Sequence, residues 1–254
     1  MLPYTKNYYD NQKDGSAASA RIVVPLVLKL LSPHSVVDIG CGVGTWLSIF
    51  REHGISITGV DGPWVDTEQL QIPKENFVEK DLTKIDGVQL RADLAMCLEV
   101  AEHLPKSSAA GLVAALTAIA PVVLFGAAIP LQGGTHHVNE QWPAYWAAHF
   151  KKHDYVPVDC IRRHVWLDER IEYWYAQNTF IYVREDMLPH YPKLQEEIAS
   201  GFGTALPLVH PKKFLYVAER YKLFEPFIKL LPGWLVRASK RILSAIRAPR
   251  STHV

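Results

Sequence analysis

Three alternating glycines separate a short apolar run from a helical pattern near the start of the chain. Residues 36–39 read Val-Val-Asp-Ile, Gly40, Gly42 and Gly44 follow, and residues 45–53 have helical periodicity. Glycine lets the backbone approach a ligand where a Cβ would collide, and the start of a helix offers unpaired N–H groups. The pattern predicts a strand, a tight turn suited to ligand binding and a helix.

The spacing of the glycines and two acidic residues indicate the kind of ligand. A dinucleotide-binding turn has the spacing GxGxxG, whereas this turn has GxGxG and is preceded by Asp38. A carboxylate beside the turn repels a pyrophosphate and attracts an ammonium or a sulfonium group. Asp61 ends the next predicted strand, where it can accept hydrogen bonds from ribose hydroxyls. Without these acids, a tight turn that binds nothing would remain an alternative for the three glycines.

Apolar runs alternate with helical patterns along most of the chain. The predicted strands are residues 36–39, 56–60, 76–78, 93–98, 122–129, 155–160 and 179–183, and the predicted helices are 17–31, 45–53, 107–120 and 140–153. This alternation predicts a mostly parallel sheet covered by helices on both faces. Beyond residue 184, prolines at 189, 192, 207 and 211 predict an irregular connection that leads to a last helix from about 221 to 247.

The composition is that of a folded protein with a basic tail. The 254 residues are 48% hydrophobic and 21% charged, which favours one domain with an appendage. Residues 229–254 contain six basic and no acidic residues, whereas residues 1–228 contain 21 basic and 26 acidic ones. A negatively charged main body lacks the broad basic face that phosphate binding needs, so no nucleic-acid partner is expected.

The apolar stretch from 112 to 131 is long enough to span a membrane. Pro121 and Pro130 interrupt it, and its composition changes from alanine-rich to rich in β-branched residues, so a buried helix followed by a central strand is the preferred interpretation.

Cys41, Cys97 and Cys160 form no CxxC pair, which predicts neither a disulfide framework nor a zinc site. The chain does not begin with a basic and then an apolar segment, so we expect a cytoplasmic protein.

Four motifs resemble those of the class I S-adenosylmethionine-dependent methyltransferases, and the resemblance covers residues 35–183. The motifs lie at residues 37–42, 59–61, 80–82 and 97–104. The resemblance implies a Rossmann-like, doubly wound, mostly parallel seven-stranded α/β sheet with S-adenosyl-L-methionine as cofactor. It assigns cofactor binding to Asp38, Gly40, Gly42, Gly44, Trp46, Asp61, Asp81, Leu82 and Glu99.

The resemblance also divides the chain into three parts. We expect an N-terminal lid and helix at 1–34, the methyltransferase domain at 35–184, and an irregular connection with a C-terminal helical extension at 185–254. Trp46 either covers the methionine end of the cofactor or belongs to the core. The N-terminal polar and aromatic residues either close over the cofactor or form a hydrophobic strap: Tyr4, Tyr8, Tyr9, Gln12 and Ser16.

The loop at 129–143 is the predicted place for acceptor chemistry. It follows the fifth strand and contains His136, His137 and Glu140, while Glu102 and His103 follow the neighbouring strand. Methyl transfer to an alcohol needs a base or a metal ion. We predict His136, His137, Glu140 and His103 as catalytic residues, and Glu102, His136, His137 and Glu140 as ligands of a divalent metal such as Mg²⁺. The alternative is polar surface, since the spacing lacks the HExxH pattern of a strong metal motif.

Aromatic residues are dense after this loop, and they suggest an acceptor. They are Trp142, Tyr145, Trp146, Trp166, Tyr173, Trp174 and Tyr175. Sugar rings present C–H faces that stack on aromatic rings, and residues 129–180 resemble a bacterial polysaccharide-associated subgroup, which implies a saccharide O-methyltransferase. The alternatives are aromatic packing beneath the sheet, another small-molecule or lipid-linked acceptor, and a non-catalytic cofactor-binding module.

The basic tail has the pattern of an amphipathic helix. Its apolar residues follow a spacing of 4, 3, 4 and 4 at Leu231, Leu235, Ala238, Ile242 and Ile246, with basic residues on the other faces. A helix of this kind suits anionic lipid head groups, which predicts peripheral contact with the inner face of the membrane. The alternative is docking on the domain or on a second subunit of a homodimer.

Overall fold

The computed structural model describes residues 6–230, except for residues 86, 88, 203, 205 and 206. The chain divides into two compact units, Met1–His210 and Pro211–Val254. Residues 185–210 therefore belong to the first unit, and the predicted apolar face at 231–246 lies outside the described residues.

A seven-stranded sheet forms the centre of the first unit. Its strands are β1 Ser35–Ile39, β2 Ser56–Asp61, β3 Phe77–Glu79, β4 Leu94–Leu98, β5 Val122–Gly126, β6 Tyr155–Val158 and β7 Phe180–Arg184. The order is β3-β2-β1-β4-β5-β7-β6, and all neighbouring pairs are parallel except those that include β7. The prediction of a Rossmann-like, doubly wound, mostly parallel sheet is confirmed.

Eight α-helices lie in the described part of the chain. They are α1 Lys6–Leu31, α2 Thr45–Glu52, α3 Ala109–Ile119, α4 Pro143–Lys151, α5 Arg162–Val165, α6 Tyr173–Asn178, α7 Pro192–Glu197 and α8 Pro211–Leu230. The prediction of an irregular connection up to residue 220 was wrong, because α7 and α8 begin at Pro192 and Pro211. Proline is favoured at the first position of a helix, where its missing N–H leaves no bond unmade.

The alternation of side chains along the strands divides the core into two layers. Val36, Met96 and Leu124 point to the layer that contains α1 and α2, while their neighbours Val37 and Ala95 point to the opposite layer. The first layer is completed by Val23, Val27, Leu47 and Phe50, and the second by Leu112, Leu116, Trp146 and Phe150. Burying both faces explains why the strands are continuous apolar runs.

The uncharged stretch at 112–131 is divided between α3 and β5, as preferred from the sequence. Among the described residues, no helix is long and apolar enough to cross a membrane. Cys41, Cys97 and Cys160 are buried free thiols.

Candidate active site

A cavity of about 360 Å³ opens at the carboxyl ends of the central strands. Residues that follow β1, β2, β4 and β5 line it, together with parts of α1, α2 and α6. In an open α/β sheet, the crevice outside the carboxyl ends of the strands is the usual place for a ligand.

The glycine turn after β1 forms one wall of this cavity. Gly40 has a φ of +87°, and a Cβ at this position would lie 2.3 Å from Cγ2 of Val100. The backbone N–H of Gly42 donates to Oδ2 of Asp61 at 2.7 Å, and the N–H of Gly62 donates to Oδ1 at 2.7 Å. Asp61 at the end of β2 therefore holds the turn in place as well as facing the cavity.

Two buried carboxyl groups make the inner wall acidic. Asp38 and Asp61 both line the cavity, and their exposed fractions are 5% and 6%. Burial raises the pKa of Asp38 well above its usual range, and the charge of Asp61 raises it further. Burial also raises the pKa of Asp61, although the N–H groups of Gly62 and Gly42 lower it in part. A cationic ligand is favoured here because it would relieve the repulsion between the two acids.

α1 reaches the cavity through Ser16. The indole Nε1 of Trp46 donates to Oγ of Ser16 at 3.1 Å, and the hydroxyl of Tyr175 lies 3.2 Å from the same oxygen. The rings of Trp46 and Tyr175 meet edge to face at 5.0 Å. Trp46 is 6% exposed, like a core residue, and it also lines the cavity. The side chains of Tyr4, Tyr8, Tyr9 and Gln12 lie outside the described part of the chain.

Glu99 directly follows β4 and is held by two amide side chains. Asn178 Nδ2 donates to Glu99 Oε1 at 2.8 Å, and Gln132 Nε2 donates to Oε2 at 3.0 Å. Burial raises the pKa of Glu99 to about 7, although both amides lower it. Its backbone φ of +55° is rare for a residue other than glycine, so these contacts stabilise an otherwise costly conformation.

The sequence did not predict a buried polar network, which lies next to Glu99. Gln177 Nε2 donates to Gln132 Oε1 at 3.0 Å, and the Gln177 carbonyl accepts from Nη1 of Arg162 at 3.2 Å. Arg162 is 2% exposed, pairs with the buried Asp159 and stacks over Phe180 at 4.2 Å. The signal available was the polar pair Gln177-Asn178 directly before an apolar strand, a place where polar side chains need buried partners.

Glu102, His103 and His137 form a cluster that lines the same cavity. The rings of His103 and His137 meet edge to face at 4.8 Å. Burial, and then the neighbouring His137, lower the pKa of His103 to about 4. Glu102 is 0% exposed, and burial followed by the nearby Glu99 raise its pKa well above the usual range.

The loop after β5 brings only part of its predicted set to the cavity. His137 lines the cavity, and Gly134 makes room for it, since a Cβ there would lie 2.2 Å from His137 Nε2. His136 is exposed, with a φ of +59°, and does not line the cavity. Glu140 lies behind the loop, where it accepts from the N–H groups of Leu131 and Gly133 at 2.7 and 2.6 Å.

Other predicted site residues also divide into those that line the cavity and those that do not. Leu82 lines the cavity, whereas the half-buried Asp81 caps the short turn that follows it, accepting from the N–H of Thr83 at 2.9 Å. Trp146 belongs to the core beneath the sheet, and Trp142 is exposed. The aromatic side chains that do line the cavity include Tyr173, Trp174 and Tyr175.

The chain matches known methyltransferases. A family model described as a methyltransferase domain matches residues 12–166. The chain is 27% identical over 120 residues to the chloroplastic magnesium protoporphyrin IX methyltransferase of Arabidopsis thaliana, over 43% of this chain and 38% of that protein. It is 30% identical over 84 residues to the ubiquinone biosynthesis O-methyltransferase of Haemophilus ducreyi, over 28% of this chain and 34% of that protein. The chain thus spans little more than a third of these curated relatives.

A solved structure shows the same fold. The magnesium protoporphyrin IX methyltransferase of Synechocystis PCC 6803, determined with bound SAH, superposes with a TM-score of 0.50 at 19% identity. The superposition covers 69% of this chain and 87% of that one. Since the family model covers more than half of its length, this chain belongs to the family of S-adenosylmethionine-dependent methyltransferases.

Proposed function

We propose that this chain transfers a methyl group from S-adenosylmethionine to a hydroxyl group of a saccharide. The observation that carries the proposal is one cavity that is lined both by the glycine turn with the acids Asp38 and Asp61 and by His103 and His137. A donor and an acceptor bound in one cavity can be held in line, which is the main requirement for a displacement at carbon.

The cavity wall fits the cofactor. The tight packing of Gly40 against Val100 leaves the backbone of the turn as the cavity surface, and the buried acids favour a cationic group. Asp61 would accept from the ribose hydroxyls, Asp38 would face the ammonium and sulfonium charges, and Trp46 would cover the methionine end. When bound, S-adenosylmethionine supplies a methyl group activated by its sulfonium.

The cluster of Glu102, His103 and His137 is the group that would meet the acceptor hydroxyl. His137 Nδ1 lies 3.0 Å from Oε1 of Glu140, so Nε2 is the ring nitrogen left for another partner. The backbone N–H groups of Val138 and Asn139 both donate to the carbonyl of Glu102, at 2.8 and 3.0 Å. These two bonds fix the loop against the end of β4 and so fix His137 beside His103.

The aromatic wall supports a saccharide acceptor. Tyr173, Trp174 and Tyr175 are consecutive in α6 and line the same cavity as the cluster. Aromatic faces pack against the C–H faces of sugar rings, while polar groups such as Thr135 on the cavity wall suit their hydroxyls. The relatives named for protoporphyrin and ubiquinone biosynthesis make flat or aromatic acceptors the main competing class.

The acceptor class can be tested with a panel of compounds. The full chain is incubated with methyl-labelled S-adenosylmethionine and with saccharides, catechols and porphyrins, and the products are identified by mass spectrometry. We expect a mass gain of one methyl group on a saccharide hydroxyl. Transfer only to catechols or porphyrins would refute the saccharide, and cofactor binding without transfer to any acceptor would support the non-catalytic module.

We also propose that the second unit contacts anionic membrane surfaces at the inner face of the membrane. Apolar side chains are exposed along α8, namely Phe214, Leu215, Tyr216, Tyr221 and Leu223. The basic tail that follows would add attraction to anionic lipids. Sedimentation with phosphatidylserine vesicles should be lost when Arg237, Lys240 and Arg241 are changed to Gln. Unchanged sedimentation would refute this contact, and dimers in analytical ultracentrifugation would favour the homodimer.

A further inference from the structure

We propose that Glu102, His103 and His137 bind a divalent first-row transition-metal ion in the cavity. That the ion would receive the acceptor hydroxyl rests on the proposed function, whereas the binding of the ion to the protein does not. The set differs from the one predicted from the sequence, because His103 takes the place of His136 and Glu140.

The geometry of the three side chains suits one ion. Each offers a ligand atom, and these atoms all lie within 4.8 Å of one another. Ligands bound to one ion at about 2.0–2.2 Å are separated by up to about 4.4 Å, so small side-chain rotations would complete the site. All three residues line the cavity, and two of them are only partly buried. An ion here would keep an open coordination position towards the acceptor.

Glu102 provides an independent indication of a missing ligand. Its side chain is 0% exposed, and neither carboxylate oxygen makes a hydrogen bond of normal geometry among the described residues, although the Glu99 carboxyl and the backbone of Ala128 lie close to it. A buried polar group without a partner is costly, and a buried unpaired charge is more so. A cation bound between Glu102 and the two imidazoles would give the buried carboxylate a partner of opposite charge and explain why an acid is kept at this depth.

The surroundings hold both imidazoles in the manner of metal ligands. His137 Nδ1 lies 3.0 Å from Glu140 Oε1, and a histidine that ligates a metal usually donates its other nitrogen to a carboxylate or a carbonyl. The His103 ring has backbone hydrogen bonds to the loop at Thr135 and His136. Glu140 therefore acts as a positioning residue for His137.

The donor set indicates the class of ion. Two imidazole nitrogens and one carboxylate oxygen suit Mn²⁺, Fe²⁺, Co²⁺ or Zn²⁺ better than Mg²⁺ or Ca²⁺, which prefer oxygen ligands alone. Three protein ligands with an open position are typical of catalytic rather than structural metal sites. A hydroxyl bound at that position would have a lower pKa and a fixed orientation.

Calorimetry on the chelator-treated full chain tests the binding directly, with Zn²⁺, Mn²⁺, Mg²⁺ and Ca²⁺ as separate titrants. We expect one site for Zn²⁺ or Mn²⁺ and weaker or no binding of Ca²⁺. Glu140→Gln should weaken binding by about 10- to 100-fold, as loss of an outer hydrogen bond to a ligand does, and Glu102→Gln and His137→Asn should weaken it further. Co²⁺ should give visible absorption bands that are lost in the same variants.

A matched control is the adjacent histidine. His136→Asn should bind the metal like the unchanged protein, because His136 lies outside the cluster and asparagine tolerates its positive φ. Cofactor affinity, measured on every variant, reports whether the fold is intact. The absence of a site, wild-type binding by Glu102→Gln, or loss of binding in His136→Asn would overturn the proposal. Metal binding without methyl transfer to any acceptor would instead refute the proposed function and leave the metal site standing.

Discussion

Replacing Gly40 by alanine should destabilise the protein more than the same change at Gly54. Both glycines have a positive φ, +87° and +78°, so each substitution carries a backbone cost of about 1–2 kcal/mol. Only Gly40 has a neighbour in the way, since its new Cβ would lie 2.3 and 2.7 Å from the two γ-methyl carbons of Val100. A Cβ at Gly54 would meet nothing within 4 Å. The comparison therefore separates the backbone cost from the steric cost.

The steric cost follows from how rigid the obstacle is. Val100 is β-branched and has little rotamer freedom, so the turn and the residues after β4 must move apart. Overpacking of this kind costs about 1–3 kcal/mol, which gives a total of about 2–5 kcal/mol for Gly40→Ala. A domain of about 200 residues loses about 2–4 °C in Tm per kcal/mol, so we expect a decrease of about 4–20 °C, against about 2–8 °C for Gly54→Ala.

Urea and thermal unfolding followed by circular dichroism would measure these differences. Val100→Ala removes the obstacle and should therefore recover the steric part of the stability lost in Gly40→Ala. The double variant should lose less unfolding free energy than the sum of the losses of the two single variants. Equal losses for Gly40→Ala and Gly54→Ala, or no coupling with Val100, would show that the turn does not pack as described.

Three further predictions concern the acids and the buried network. Asp61→Ala should weaken S-adenosylmethionine binding by about 10- to 150-fold in calorimetry, because a charged acceptor is worth about 1.5–3 kcal/mol, and unchanged binding would remove Asp61 from the site. Cofactor affinity should fall as the pH is lowered, because the raised pKa of Asp38 makes it protonate earlier and a neutral carboxyl attracts a cation less. Asp38→Asn should reduce that dependence, and the remainder should come from Asp61 and Glu99, whose pKa values burial also raises. A profile identical to that of the unchanged protein would show that Asp38 does not contribute to it. Asp159→Ala should cost about 3–5 kcal/mol of unfolding free energy, because it leaves the Arg162 guanidinium buried and unpaired, and a loss below about 1 kcal/mol would contradict this.

The sheet and the glycine turn could be predicted because local patterns determine them. Residues 36–61 carry the strand, the turn, the helix and Asp61 within a short span, and each part is recognisable from its own residues. The acceptor side could not be resolved in the same way. His136 and His137 are adjacent and chemically identical in the sequence. Contacts of the folded chain distinguish them, because Val138 and Asn139 donate to the carbonyl of Glu102 and His137 Nδ1 lies 3.0 Å from Glu140 Oε1.

Asp81 and the amide residues Gln132 and Asn178 show two other reasons why the site could not be predicted fully from the sequence. An aspartate after a strand is compatible with both cofactor binding and capping, and the hydrogen bond to Thr83 shows that Asp81 caps the following turn. Gln132 and Asn178 are 46 residues apart and meet only because the loop after β5 lies beside α6. Contacts of this range depend on the assembled sheet and leave no periodic signal.

The three hydrogen bonds that Glu140 accepts close the loop after β5 on itself. Leu131, Gly133 and His137 all donate to one side chain, and the loop joins Glu102, after β4, through backbone N–H groups that every residue except proline possesses. Because these hydrogen bonds lie within the loop, the residues between the bonded positions can change without disturbing the glycine turn. Under the proposed function, exchange of residues 133–139 between related enzymes would therefore alter acceptor choice, while Gln132, which donates to Glu99, stays in place on the cofactor side of the pocket.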